Sequence, residues 1–212
     1  MFVRARMTAN PFTVTPTTTV PDAMALLKAH TIRNLPVVKD GHLVGLVGQK
    51  EIAAAGPSAA TSLAAGEINY LLNKLQVGQI MVKNPVTISP DALLEEAAIA
   101  MRDHKVELLP VVENDAVIGV ITESAIFDAF VEILGFRDHG TRLTLDALDA
   151  PGVMAKLAET TARHGANIQH MAVYRGQQRA EVIFGVNTPN TDALEADLAK
   201  AGFTVLSKMV NP

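Results

Sequence analysis

His30–Ile52 reads HTIRNLPVVKDGHLVGLVGQKEI, and the pattern returns at His104–Ile126 as HKVELLPVVENDAVIGVITESAI, 74 positions later and without a gap. The register extends backwards, so that Met7 to Pro16 (MTANPFTVTP) lies over Met81 to Pro90 (MVKNPVTISP). From 7 to 52, 13 of 46 positions are identical to their partners, and 12 of the others exchange one apolar residue for another. A repeat outranks local propensity, because each copy is one supersecondary unit that buries its open face against the other. The first two-thirds of the chain is therefore expected to be one domain of two like halves.

Within each copy the elements follow from residue spacing. Phe12 to Thr15 alternates between Pro11 and Pro16 and predicts a short strand. Thr19 can cap a helix with Pro21 in its first turn, and Val20, Ala23, Met24 and Leu27 form its apolar stripe. The second copy carries the stripe at Leu94, Ala97, Ala98 and Met101. Leu35 to Val38 and Leu43 to Val47 are apolar runs joined through Asp40-Gly41, a hairpin signal, and a second helix is expected from Gln49. Each repeat reads strand–helix–strand–strand–helix. Ala53 to Ser62 reads as a flexible connection and Glu67 to Leu75 as a helix leading into the second copy. The closing helix of that copy, Glu123 to Leu134, is expected to turn Ile126, Phe127, Phe130, Val131 and Leu134 to one side. The limits expected are 1–66 for the first repeat with its linker, 67–134 for the second and 135–140 for a further linker.

From Thr141 the pattern changes. Arg142 to Leu148 alternates as a strand with Leu143, Leu145 and Ala147 on one face. Pro151-Gly152 opens a helix that closes at His164-Gly165. Asn167 to Tyr174 and Arg179 to Val186 read as strands joined through Arg175-Gly176, Asp192 to Ala201 as a helix ended by Gly202, and Phe203 to Met209 as a last strand. This βαββαβ order over 141–212 is that of a ferredoxin-like sheet covered on one face by two helices. The fold class expected is mixed α/β (α+β).

Composition removes several chemistries. The chain of 212 residues has no cysteine, which excludes disulfides, iron–sulfur clusters and thiol catalysis. A net charge of −4 argues against nucleic acid or an anionic membrane as a partner. MFVRARMTAN lacks the apolar run of a signal peptide, and the uncharged stretch Ile52 to Gly66 is too short to span a bilayer. The expectation is a soluble, cytoplasmic protein. No G-x-S-x-G, Walker A or G-x-G-x-x-G motif is present, and no histidine has a second ligand at metal spacing on one element. Neither catalysis nor a metal is expected.

M-x-x-N-P, L-P-V-V and a closing G-h-h-x-x-x-x-I, where h is apolar, stand in each repeat and together resemble the CBS-domain family. That resemblance implies a pseudo-symmetric pair whose central cleft binds adenosine-containing ligands: AMP, ADP, ATP, S-adenosylmethionine or NAD. The tail, with Leu148-Asp-Ala-Pro-Gly-Val-Met154 followed by Gly165-Ala-Asn-Ile168, resembles an ACT domain, a module that often binds amino acids. The ordered combination is similar to the AcuB-type acetoin-utilisation family. It implies a homodimer and a regulated protein partner that the sequence does not identify.

The resemblance places polar ligand contacts on G-h-h-T/S-x-x-D, with the Asp on ribose and the hydroxyl on phosphate. Both copies depart from it. The first has Gly48 for the hydroxyl and Glu51 for the Asp, with Lys50 beside it; the second keeps Thr122 and Ser124 but has Ala125 for the carboxylate. Losing one such hydrogen bond costs on the order of 1–3 kcal/mol, so affinity at either site is expected to fall tenfold or more below that of an intact site. The base slot implied for the Glu51 site is Val86, Thr87, Ile88, Glu107 and Leu108. For the Thr122 site it is Phe12, Thr13, Val14, Arg33 and Asn34, with His30 and Arg33 in reach of phosphate. Val14, Ile88 and Leu108 would be core in any such fold, and for Thr122, Glu51 and Arg33 a plain surface position stays open. In the tail, Asp149, Gly152, Val153 and Asn167 are the amino-acid-binding candidates, since free N–H groups at a helix start suit a carboxylate. The alternative there is that Pro151-Gly152 merely starts the helix. Two functions stand side by side: a ligand-sensing regulatory protein, and an adaptor with degenerate sites that acts by association.

Overall fold

The computed structural model describes residues 1–56 and 74–211, in two compact units, Met1–Ile126 and Phe127–Pro212. Each repeat contributes a short arm strand, a helix, a hairpin and a second helix, the last of these helices running on past Ile126 into the second unit. The first copy gives β1 (Thr8–Ala9), α1 (Val20–Ala29), β2 (Asn34–Lys39), β3 (His42–Gly48) and α2 (Gln49–Ala55). The second opens on α3 (Val77–Ile80) and gives β4 (Val82–Lys83), α4 (Leu94–His104), β5 (Leu108–Glu113), β6 (Ala116–Thr122) and α5 (Glu123–Ile133).

The hairpins form as their turn residues dictate. Asp40 and Gly41 both take positive φ (51° and 84°), and so do Asn114 and Asp115 (49° and 63°). Two consecutive left-handed residues make the type I′ turn whose twist suits a two-residue hairpin. Asn10 and Asn84, and Thr31 and Lys105, share positive φ in the same pairwise manner. The backbone thus repeats at the 74-residue spacing even where side chains differ.

The copies are laced together through their arms. β1 pairs with β6 of the other copy (Thr8 with Val120, Ala9 with Gly119), and β4 pairs with β3 (Lys83 with Gly45, Val82 with Leu46). Upstream, Val3 and Arg4 donate backbone N–H bonds to Ala92 and Pro90, while Val77 and Gly78 donate to Thr18 and Pro16. The repeat therefore begins four residues earlier than the sequence reading placed it. Its signal there is one shared valine, Val3 and Val77, both fully buried.

α1 starts as expected, with the Thr19 hydroxyl accepting from the Asp22 N–H and proline in the first turn. Val20, Ala23 and Leu27 are buried with Leu35, Val37 and Val47 of the sheet. Burying each such large aliphatic side chain contributes about 1.5–3 kcal/mol. Four expectations need correction. Phe12–Thr15 is not a strand: only Val14 bridges to Val37, giving its N–H to Pro36 (3.0 Å) and accepting from Val38 (2.8 Å). Met24 lies 52% exposed, because the sheet reaches only the three neighbours of its stripe. Ala53–Ala55 continue α2 instead of starting a flexible connection, and the rest of that connection and most of the Glu67–Leu75 helix lie outside the described residues. On α5, Ile126 and Ala129 are buried, whereas Phe127 is 62% exposed and Phe130 is exposed too. Val131 and Leu134, expected on the same side, are half-buried.

The second unit is a four-stranded antiparallel sheet in the order β10 (Thr204–Asn211), β7 (Gly140–Leu148), β9 (Arg179–Val186), β8 (Ile168–Arg175). With α6 (Val153–Arg163) and α7 (Asp192–Lys200) between them, this is the ferredoxin-like arrangement expected from the βαββαβ order. Leu143, Leu145, Val182 and Phe184 pack against Leu157 and Leu198 of the helices. Gly165 and Gly202 take positive φ where the two helices end.

Candidate functional site

Two clefts open in the first unit, related by the repeat. The Thr122 cleft, about 530 Å³, is lined by Asn10–Phe12, His30–Asn34 and Pro36 of the first copy and by Glu107, Leu108, Thr122, Glu123 and Ser124 of the second. The Glu51 cleft, about 580 Å³, is lined by Asn84–Val86 and His104–Leu108 of the second copy and by Gln49, Lys50 and Glu51 of the first. Arg33, Asn34, Glu107 and Leu108 border both.

Of the residues expected in the Thr122 cleft, Phe12, Arg33, Asn34, Thr122 and Ser124 line it; Thr13 and Val14 do not. Val14 is 5% exposed and spent in the core. In the Glu51 cleft, Val86, Leu108, Lys50 and Glu51 are present, and Thr87 and Ile88 are not. Ile88 instead bridges to Val111, as Val14 does to Val37. His104 and Lys105 line the Glu51 cleft without having been expected there; adding 74 to His30 and Thr31 finds both.

The departures at the helix starts have local causes. Gly48 faces Asn34 across the β2–β3 ladder, and a Cβ at residue 48 would collide with the Asn34 side-chain oxygen and stand 2.8 Å from the Arg33 carbonyl. The Gly48 N–H donates to the Glu51 carboxylate at 2.9 Å. Glu51 therefore closes its own helix start, an N3 carboxylate reaching back to the cap. In the second copy Leu108 stands opposite Thr122, which leaves room for the hydroxyl, and that hydroxyl accepts the Ala125 N–H at 3.2 Å. Glu51 and Thr122, both expected as ligand contacts, thus each hold a helix start.

Phe12, 49% exposed, stacks on His30 with ring centroids 3.6 Å apart and planes 19° from parallel. This presents an aromatic surface at the edge of the Thr122 cleft. Val86 stands at the equivalent place in the other. Arg33 and Glu107 form an exposed ion pair at 3.6 Å where the two clefts adjoin.

A family model for the CBS domain matches residues 3–58 and 77–132. The chain belongs to the CBS-domain family. The structure of a Vibrio cholerae protein assigned to acetoin utilization (AcuB) matches with 31% identity and a TM-score of 0.54 over 65% of this chain and 96% of that one. CBSX2 of Arabidopsis thaliana, solved with AMP, matches with 29% identity and a TM-score of 0.52 over 62% of this chain and 97% of that one. The CBS pair of protein MJ0100, solved with 5′-methylthioadenosine and S-adenosyl-L-methionine, matches with 26% identity and a TM-score of 0.51 over 61% and 99%. Among curated proteins, YhcV of Bacillus subtilis is 27% identical over 67% of this chain and 92% of its own length. The chain is also 31% identical to the inosine-5′-monophosphate dehydrogenase of Korarchaeum cryptofilum over 66% of its residues, and spans 26% of that enzyme.

In the second unit the four tail candidates do not converge. The Asp149 carboxylate is held by Arg175 at 2.9 Å. Gly152 takes φ 87° ahead of α6, with open space around it, and Val153 packs half-buried on the core. Asn167 exchanges hydrogen bonds with Asn187 beyond the far end of α6, which at 11 residues rises about 16 Å. His164 bonds Asp197 at 3.0 Å and His170 lies 3.5 Å from Asp138, so the two imidazoles serve different neighbours. Among the described residues no cluster of metal-ligating side chains occurs, and no helix is long and apolar enough to cross a membrane.

Proposed function

We propose that this CBS pair is the sensing part of a non-catalytic regulatory protein, taking an adenosine-containing ligand in its clefts. The observation that carries the reading is the pair of repeat-related clefts, each large enough for a nucleoside and each bordered by Arg33. The two solved neighbours, one with AMP and one with 5′-methylthioadenosine and S-adenosyl-L-methionine, support it. Thr122 and Ser124 on one side and Lys50 and Glu51 on the other supply the polar contacts. The reading includes the domain limits 1–66, 67–134, 135–140 and 141–212, a cytoplasmic homodimer, an ACT-like tail that takes an amino acid near Asp149 and Gly152, and a role of the acetoin-utilisation type.

The test is a thermal-shift series with AMP, ADP, ATP, S-adenosylmethionine and NAD. A ligand at 100 times its Kd adds about 2.7 kcal/mol, which such a melt resolves. A shift from at least one of them is expected. Its absence at millimolar ligand would favour the adaptor, a second reading that one observation supports: the Glu51 carboxylate and the Thr122 hydroxyl are already engaged in capping.

A further inference from the structure

The two clefts are built alike but charged differently, and we propose that they divide their ligands by charge. The Glu51 cleft takes a phosphorylated adenosyl ligand, and the Thr122 cleft takes an uncharged or cationic one without phosphate. This rests on the sensor reading above.

The exchanges lie at equivalent positions of the repeat. Where the Thr122 cleft has Thr31, Glu123 and Ser124, the Glu51 cleft has Lys105, Gln49 and Lys50. Arg33 with Glu107 and Glu123 gives the first lining a formal charge of −1. Arg33, Lys50 and Lys105 with Glu51 and Glu107 give the second +1. Among the described residues neither Lys50 nor Lys105 is tied up in an ion pair, whereas the Glu51 carboxylate is turned onto the Gly48 N–H. The cations of that cleft are therefore available to a phosphate. In the other cleft Glu123 stands where Gln49 stands here, and it opposes a phosphate and favours a positive group.

The aromatic surface follows the same division. A ligand without phosphate must draw its affinity from its base, and the Phe12–His30 stack offers a flat π face for it. With Val86 in place of Phe12, the Glu51 cleft relies more on charge.

The experiment is titration calorimetry of the full chain with AMP and with 5′-methylthioadenosine, which has no phosphate, alone and in competition. The double variant Lys50→Gln/Lys105→Gln is expected to weaken AMP tenfold or more and leave 5′-methylthioadenosine within twofold. Phe12→Ala is expected to do the reverse. All three side chains are solvent-facing, and a circular dichroism melt of each variant verifies that it folds. The division is overturned if the lysine variant binds AMP like the parent, or if the two ligands compete for one cleft. If neither ligand binds at millimolar concentration, the sensor reading falls and the division with it.

Discussion

Arg33 and Glu107 hold the same position in the two copies, and they meet at 3.6 Å between the clefts. With side chains 78% and 67% exposed, the pair is screened by water and contributes little to stability, as exposed ion pairs generally do. Arg33→Ala is expected to change the unfolding free energy by less than about 1 kcal/mol while weakening AMP several-fold. Urea denaturation beside calorimetry separates the two effects. A variant that loses stability and keeps its AMP affinity would show the guanidinium to be structural.

Thr122 caps α5 through the Ala125 N–H. Thr122→Ala should lower stability by about 0.5–2 kcal/mol in the absence of any ligand, whereas Thr122→Ser should retain most of it. Chemical denaturation of the unliganded chain measures this directly. A neutral Thr122→Ala would mean that the hydroxyl does no capping in solution.

Gly119 lies beneath Met7, and Gly45 beneath Met81, each methionine coming from the other copy. A Cβ at 119 would stand 2.6 Å from the Met7 sulfur and 3.1 Å from the Thr8 carbonyl. Gly119→Ala is therefore expected to overpack the β1–β6 contact and cost about 1–3 kcal/mol. The flexible Met7 side chain can yield, so the double variant Met7→Ala/Gly119→Ala should recover part of the Cβ collision. Denaturant midpoints of the two variants give the comparison.

The His170 ring fits against Gly135 and Gly185, its side chain 8% exposed and both nitrogens without a hydrogen-bond partner among the described residues. Burial holds its pKa below the usual 6.5, and Arg142 adds to that; the Asp138 carboxylate opposes it. The folded form thus prefers the neutral ring. Its contribution is complete above pH 6.5 and is lost as pH falls below 6.5 towards the lowered folded-state value. The second unit is expected to melt at lower temperature at pH 5 than at pH 7, and His170→Gln to flatten that dependence. A parent whose melting temperature rises on acidification over that range would contradict it.

Phe184 is fully buried at the centre of the second core. Phe184→Ala should cost about 3–5 kcal/mol, since the β7–β9 ladder on one side and two helices on the other limit collapse around the void. Fluorescence-independent readouts such as circular dichroism suit a chain without tryptophan.

The sequence by itself determined the repeat, the hairpins and the order of the tail elements. These are local: Asp40-Gly41 sets its own turn, Thr19 caps its own helix, and Leu143, Leu145 and Ala147 alternate because strand side chains do. The repeat register even located most of the cleft, since positions 74 apart must come to equivalent places in a pseudo-symmetric pair. Only the tertiary structure decided which groups meet between copies. That Met7 covers Gly119, that Arg33 faces Glu107 and that Phe127 turns to solvent depend on pairings between distant segments, for which no local pattern exists. It also decided that Glu51 and Thr122 hold their helix starts. A carboxylate or hydroxyl three residues from a free N–H can serve cap or ligand equally well in sequence, and the backbone geometry brings the N–H within reach of each.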